Sequence, residues 1–265
     1  MTSFWPKNWQ SQNQKNRQLE KHTFCPNSFY VENIVNSQLR FTIQNGENLA
    51  NLKAILKELK EELAQKDNVR ENAHQNMRKT TGLSKRAILL MHQKKYDKAG
   101  KLIESAREII SQLQSSAEEY PEIIYGGMFS AALQEYAEAN IFYGLIHGAS
   151  FVMPNEVKVP AVEYMLGLAD VIGEYRRLVL DALREGDAEK GQEYLKTMDG
   201  IYIELMEMDE ASILVPGLRR KCDVARRIIE ATRGDVTQEV RRKSLENYLK
   251  QFEYAQRKRR LPKKG

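Results

Sequence analysis

Apolar side chains recur at spacings of three and four along nearly the whole chain after residue 46. The first run shows this spacing in Leu49, Leu52, Ile55, Leu56, Leu59 and Leu63. Such spacing places apolar residues on one face of an α-helix, and no run alternates polar and apolar residues as a half-buried strand does. About seven segments of this kind, ending near residues 91, 116, 147, 185, 208, 233 and 258, predict an all-α, seven-helix bundle.

Composition divides the chain into three parts. Residues 1–46 are rich in Asn, Gln and Ser without a sustained period, which predicts a poorly ordered N-terminal extension and a first regular segment beginning near Glu47. Residues 47–256 form the predicted all-α domain, in which Gly186-Asp187 and Gly234-Asp235 are expected to break helices. Residues 257–265 form a basic C-terminal tail.

Charge is unevenly distributed, although the whole chain carries only +5. Residues 47–216 hold 20 Lys and Arg against 28 Asp and Glu, whereas residues 217–265 hold 16 against six. A basic end suits a polyanion such as nucleic acid, because each phosphate contact releases condensed counterions. A solvated basic helix and tail would explain the same charge, so both interpretations stay open.

Apolar segments and cysteines indicate in which cellular compartment the protein is located. No stretch is long and apolar enough to cross a membrane, and the N-terminus lacks the apolar run of a signal peptide. We therefore expect a soluble cytoplasmic protein without a membrane partner, whose basic tail would permit nuclear access in a eukaryote. Cys25 and Cys222 form no CxxC pair, so neither a zinc site nor a disulfide framework is indicated.

Several familiar site types are missing from the sequence. It contains no GxGxxG, no GxxxxGK[ST] and no Gly-x-Ser-x-Gly, which argues against a dinucleotide fingerprint, a P-loop and a serine nucleophile elbow. Glu71 and His74 form one ExxH unit, the element that di-iron carboxylate bundles use in pairs. No other histidine has a glutamate three residues before it, so a di-iron centre is not favoured.

Two pairs of acids remain as the candidate site. Glu135 and Glu138 are three residues apart, and Asp170 and Glu174 are four apart, so each pair shares one face of a helix among apolar neighbours. Oxygen ligands without His or Cys suit Mg²⁺, with Mn²⁺ as the alternative, and such sites carry out metal-dependent phosphodiester hydrolysis. Acids at these spacings also occur on solvated helix faces, so the pattern permits a metal without requiring one.

A row of bases lies on the first predicted helix. Arg78, Lys85 and Arg86 could face phosphates and guide a nucleic acid. A solvated helix face would have the same composition.

Two stretches around the acids resemble the translin family, namely Leu133–Ala139 and Val159–Glu174. The segment Ser84–His92 gives flanking support, and the likeness extends over roughly residues 48–255. The chain is more similar to the translin-associated factor X branch than to translin, which lacks the acidic set. The resemblance implies a seven-helix protomer of an octameric shell that encloses RNA.

The same resemblance implies roles for the acids. Glu135, Glu138 and Asp170 fall on the acidic positions of a metal-dependent ribonuclease, and Glu174 fits as a further ligand or an orienting base for water. The implied function is a Mg²⁺-dependent endoribonuclease that cleaves single-stranded or flexible RNA, with single-stranded DNA as a further ligand. The alternative is a non-catalytic RNA-binding or DNA-binding scaffold. A homo-oligomer is expected, or a hetero-oligomer with a translin-like subunit.

Overall fold

The computed structural model describes residues 28–148, 150–208 and 213–260, with side chains between residues 48 and 256 of these ranges. Within them every regular element is helical, which confirms the all-α prediction. The helices are α1 (Ser28–His92), α2 (Tyr96–Glu119), α3 (Pro121–Ile124), α4 (Gly127–Tyr143), α5 (Pro154–Val157), α6 (Ala161–Arg184), α7 (Ala188–Glu207) and α8 (Leu218–Arg260), and a π-helical turn, Gly144–Gly148, follows α4.

The described residues divide between two compact units, with the boundary between Ala64 and Gln65. In the first unit, the apolar stripe that begins at Leu49 and ends at Leu63 is exposed. The second unit contains the hydrophobic core and all the candidate site residues. Among the described helices, none is long and apolar enough to cross a membrane.

Two helix boundaries differ from the sequence prediction. Helix α1 begins at Ser28 rather than near Glu47, because Asn, Gln and Ser disfavour a helix by less than about 1 kcal/mol each and do not forbid one. Residues 1–27 and residues 261–265, which include most of the basic tail, lie outside the described residues.

The second difference is at Gly234-Asp235, where α8 continues without the predicted break. Packing holds the helix on both sides of the glycine, since Thr232 and Val236 are buried. Arg233 pairs with Asp199 at 2.8 Å, and Asp235 lies 3.8 Å from Arg176. These contacts outweigh the roughly 1 kcal/mol that a glycine costs inside a helix.

Helices α4 and α6 cross with their backbones in contact at Gly167. A Cβ atom added there would lie 2.8 Å from the carbonyl oxygen of Gln134 and 2.9 Å from the backbone nitrogen of Glu138. Real Cβ atoms do not approach that closely, so only glycine permits the crossing. Helix α6 also packs against α7 and α8, which places the acid-bearing face of α6 between its neighbours.

Candidate acidic site

Glu138 lies at the centre of the four predicted acids. Helix α4 is buried along most of its length, and the Glu138 residue is only 8% exposed. Burial, together with the charges of Asp170, Glu174 and Glu135, raises the pKa of its carboxyl group to about 8. The structure therefore brings all four acids close enough to influence one carboxyl group.

Asp170, on α6, is held from two directions. The Nζ atom of Lys221 on α8 lies 2.5 Å from Oδ1 and 2.6 Å from Oδ2 of the carboxylate. The Nε2 atom of Gln134, on α4, donates a hydrogen bond of 2.6 Å to Oδ2. Lys221 thus balances the charge of Asp170, while Gln134 fixes the orientation of its carboxylate.

Helix α1 supplies partners for the two remaining acids. Lys85 Nζ lies 3.1 Å from Glu135 Oε1. His92 Nε2 hydrogen-bonds Glu174 Oε2 at 2.6 Å, and the His92 ring tilts against Phe142 with centroids 5.2 Å apart. The other ring nitrogen of His92, Nδ1, is buried and has no hydrogen-bond partner in the described part of the chain.

The charges of the site are therefore unequally balanced. Glu135, Asp170 and Glu174 each contact one base, whereas no basic side chain among the described residues makes an ion pair with Glu138. Nor do three metal-binding side chains converge on one point anywhere in those residues. The donors are nevertheless all hard oxygens around a buried acid, which is the chemistry that Mg²⁺ requires. A cation could fit if Glu135, Asp170 and Glu174 released the bases that they contact and turned toward the ion.

The three predicted bases make different contacts. Lys85 reaches the acidic site through Glu135, whereas Arg78 Nη2 lies 3.5 Å from Glu71. Arg86 is exposed to solvent. Glu71, the acid of the single ExxH unit, also accepts a hydrogen bond from Gln75.

Sequence reasoning missed three residues of the site. Gln134 and His92 lie inside stretches that resemble the translin family, so the signal was present but their side chains had no assigned role. Lys221 lies 51 residues after Asp170 in a helix full of bases, and nothing in the local sequence separates it from its neighbours.

Known proteins are similar to the part of the chain that contains the acidic site. The translin family model matches residues 68–231. An uncharacterized protein of Methanocaldococcus jannaschii is 32% identical over 194 residues, which cover 72% of this chain and 85% of that protein. The crystal structure of AfC3PO is 34% identical with a TM-score of 0.62, and the match covers 69% of this chain and 96% of AfC3PO.

Two further structures extend the comparison. AfC3PO in complex with duplex RNA is 33% identical with a TM-score of 0.62, over 69% of this chain and 95% of that one. Apo-NeC3PO, at 24% identity and a TM-score of 0.63 over 69% and 96% of the two chains, supports the fold alone. The family model spans more than half of this sequence and includes all four acids and the bases that contact them. The chain belongs to the translin family.

Proposed function

We propose that this protein is a metal-dependent endoribonuclease that uses Mg²⁺, or Mn²⁺ in its place. Glu135, Glu138, Asp170 and Glu174 would hold the ion. The observation that carries the proposal is the buried, uncompensated carboxyl group of Glu138, surrounded by three other acids on two helices. Such an arrangement destabilises a fold unless a proton or a cation neutralises the central carboxyl group, and a strongly raised pKa beside other acids is more often functional than incidental.

The chain's own residues would prepare the site for the ion. Without metal, Lys85, His92 and Lys221 hold the outer acids in place, and these three bases become available when the acids turn to a cation. A bound Mg²⁺ supplies charge neutralisation at the phosphate and a water of lowered pKa. Gln134 would keep Asp170 oriented throughout, because its amide group carries no charge for a cation to repel.

RNA is the proposed ligand. The support is that AfC3PO, which is 33% identical in its RNA complex, binds duplex RNA. We propose single-stranded or flexible RNA as the substrate, with single-stranded DNA as a further ligand. Arg78, Lys85 and Arg86 would guide phosphates toward the acids, and the acidic set favours the factor X branch of the family. Assembly as a homo-oligomer is part of this proposal, with a translin-like partner subunit as the alternative.

One observation favours the second candidate, a non-catalytic RNA-binding scaffold. Three of the four acids already contact bases, and the described residues contain no ready group of three metal ligands. In a scaffold these ion pairs would be permanent and would serve only to hold α1 and α8 against α4 and α6.

Cleavage of labelled RNA with Mg²⁺ or with EDTA separates the two candidates. We expect Mg²⁺-dependent cleavage by the wild type and by Glu108→Gln, a control for an exposed acid on α2. Glu138→Gln and Asp170→Asn should bind the RNA but not cleave it. Intact RNA under all conditions, with no change in melting temperature on adding Mg²⁺, would support the scaffold instead.

A further inference from the structure

A cleft of about 470 Å³ opens beside Asp170, between α6 and the first turns of α8. Its apolar wall includes Ala169 on α6 and Val224 and Ile228 on α8. The charged side chains that line it are Asp170, Arg220 and Lys221. The size lies within the range of small-ligand sites, which are mostly apolar with a few polar groups.

Gly173 on α6 gives the cleft its room. A Cβ atom added at Gly173 would meet no described atom within 4 Å, although this face of α6 is otherwise packed. A glycine inside a helix costs about 1 kcal/mol relative to alanine. At Gly167 the close crossing of α4 and α6 offsets that cost, but no described contact requires a glycine at position 173. The missing side chain at Gly173 leaves this part of the cleft wall open.

The charged side chains that line the cleft, two bases and one acid, have a net positive charge. Arg220 is exposed, and no ion pair of its guanidinium appears among the described contacts. Lys221 contributes a second base and at the same time contacts Asp170. A guanidinium beside an ammonium group suits a phosphate, because arginine binds phosphate oxygens through two parallel hydrogen bonds.

We propose that this cleft binds one nucleotide of the RNA, the one that lies next to the acidic site. Its phosphate lies against Arg220 and Lys221, and its base lies on the apolar wall of Val224 and Ile228. The base is not read by hydrogen bonds, because the wall offers none, so any base is accepted. Lys221 joins this nucleotide to the acidic site. The inference rests on the proposed RNA substrate but not on cleavage.

Filling the cleft tests the inference. Gly173→Leu places a side chain in the open space, and we expect it to weaken binding of a short fluorescent oligoribonucleotide in EDTA about tenfold, the equivalent of 1.4 kcal/mol. Gly234→Leu is the matched control, since Gly234 also lies in a helix with no described atom near its Cβ position. Fluorescence anisotropy measures the binding, and circular dichroism checks that each variant is folded.

A second variant reaches the cleft from α8, so the test does not depend on the folding of Gly173→Leu. Val224→Asp adds a negative charge at a half-exposed position on the cleft wall and should weaken binding by a similar factor. Val240→Asp, at an exposed position further along α8, is its control. Arg220→Ala should also weaken binding, and Arg241→Ala, which changes the net charge equally, should do so much less.

An oligoribonucleotide in which every nucleotide is abasic tests the contact with the base, because a strand of which any base is accepted could shift to avoid a single abasic position. It should bind the wild type more weakly than the intact strand does. With the abasic strand Gly173→Leu should cause no further loss, because the variant and the missing base remove the same contact. Equal losses for cleft and control variants, or additive losses with the abasic strand, would overturn the inference even if the protein cleaves RNA. Non-additive losses with no cleavage would leave the inference standing and remove the ribonuclease proposal.

Discussion

Two acids on neighbouring helices, Glu138 on α4 and Asp170 on α6, lie in opposite environments. On α4, Glu138 is enclosed by the core and makes no ion pair with a described base, so its pKa rises to about 8. On α6, Asp170 is open toward α8, and Lys221 and Gln134 both contact it. The comparison shows that acids of one cluster can lie in very different surroundings. Each outer acid contacts a base, whereas Glu138 holds a proton below about pH 8, which a cation bound there would have to replace.

The largest effect is expected from removing the central charge. Glu138→Gln should slow Mg²⁺-dependent cleavage at least about 100-fold, because charge stabilisation by a metal contributes several kcal/mol to the transition state. Single-turnover cleavage at saturating protein measures it, and RNA affinity in EDTA should be unchanged. Cleavage within a fewfold of the wild type would show that Glu138 is not the centre of the site.

The same substitution should remove the contribution of Glu138 to the pH dependence of stability. Below pH 4.5 Glu138 is protonated in the folded and unfolded chains, and between pH 4.5 and about 8 only the folded chain retains the proton. The free energy of unfolding of the wild type should therefore fall as pH rises through this window. In EDTA, the stability of Glu138→Gln relative to the wild type should therefore rise by about 4 kcal/mol between pH 4.5 and pH 8.5, at roughly 1.4 kcal/mol per tenfold change in proton affinity.

Urea unfolding at both pH values measures this difference, and Glu108→Gln again serves as the control. A difference between Glu138→Gln and the wild type that does not change with pH would contradict the raised pKa of Glu138. Added Mg²⁺ should stabilise the wild type more at pH 8.5 than at pH 4.5, because the ion competes with the proton.

Two glycines on α6 give the next prediction. Gly167→Ala should destabilise the fold by about 1–3 kcal/mol, because the new methyl group forces α4 and α6 apart. Gly173→Ala should instead stabilise it by about 0.5–1 kcal/mol, since the methyl group enters open space in a helix. Thermal unfolding measures both, and equal effects would mean that the helix crossing is not tight.

The smallest effect concerns the balanced side of the site. Lys221→Met removes the base from Asp170 and should lower stability in EDTA by about 1 kcal/mol, since the pair is partly open to solvent. It should also tighten Mg²⁺ binding, because the ion no longer competes with the ammonium group. Isothermal titration measures the affinity for the ion. Unchanged affinity would show that Lys221 and the metal do not share Asp170.

The same dipeptide occurs twice and shows what local sequence can predict. At Gly186-Asp187 the glycine has a φ of 80°, and the Asp187 side chain accepts a hydrogen bond from the Lys190 backbone at 3.0 Å, so one helix ends and another begins. At Gly234-Asp235 packing against α6 and α7 keeps the helix intact. Turn chemistry is local, but the contacts that override it come from distant parts of the chain.

The candidate site divides in the same way. Helical spacing predicts that Glu135 and Glu138 share a face, as do Asp170 and Glu174, because that relation lies within one helix. Lys221 and His92 reach the acids across the fold, 51 and 82 residues away from their partners. Periodicity contains no information about such pairings, and neither residue type is unusual at its position. The raised pKa of Glu138 is likewise a property of the packed core rather than of its neighbours in sequence.

The contact at Gly167 has a consequence for the choice of ion. Because peptide groups of α4 and α6 touch there, the span between the two pairs of carboxylates is set by the backbone and cannot widen without breaking the core. Mg²⁺ forms bonds of about 2.1 Å, whereas Ca²⁺ needs about 2.3–2.6 Å and more ligands. A frame of fixed width should therefore discriminate between ions by radius, and Ca²⁺ should support neither stabilisation nor cleavage to the extent that Mg²⁺ does.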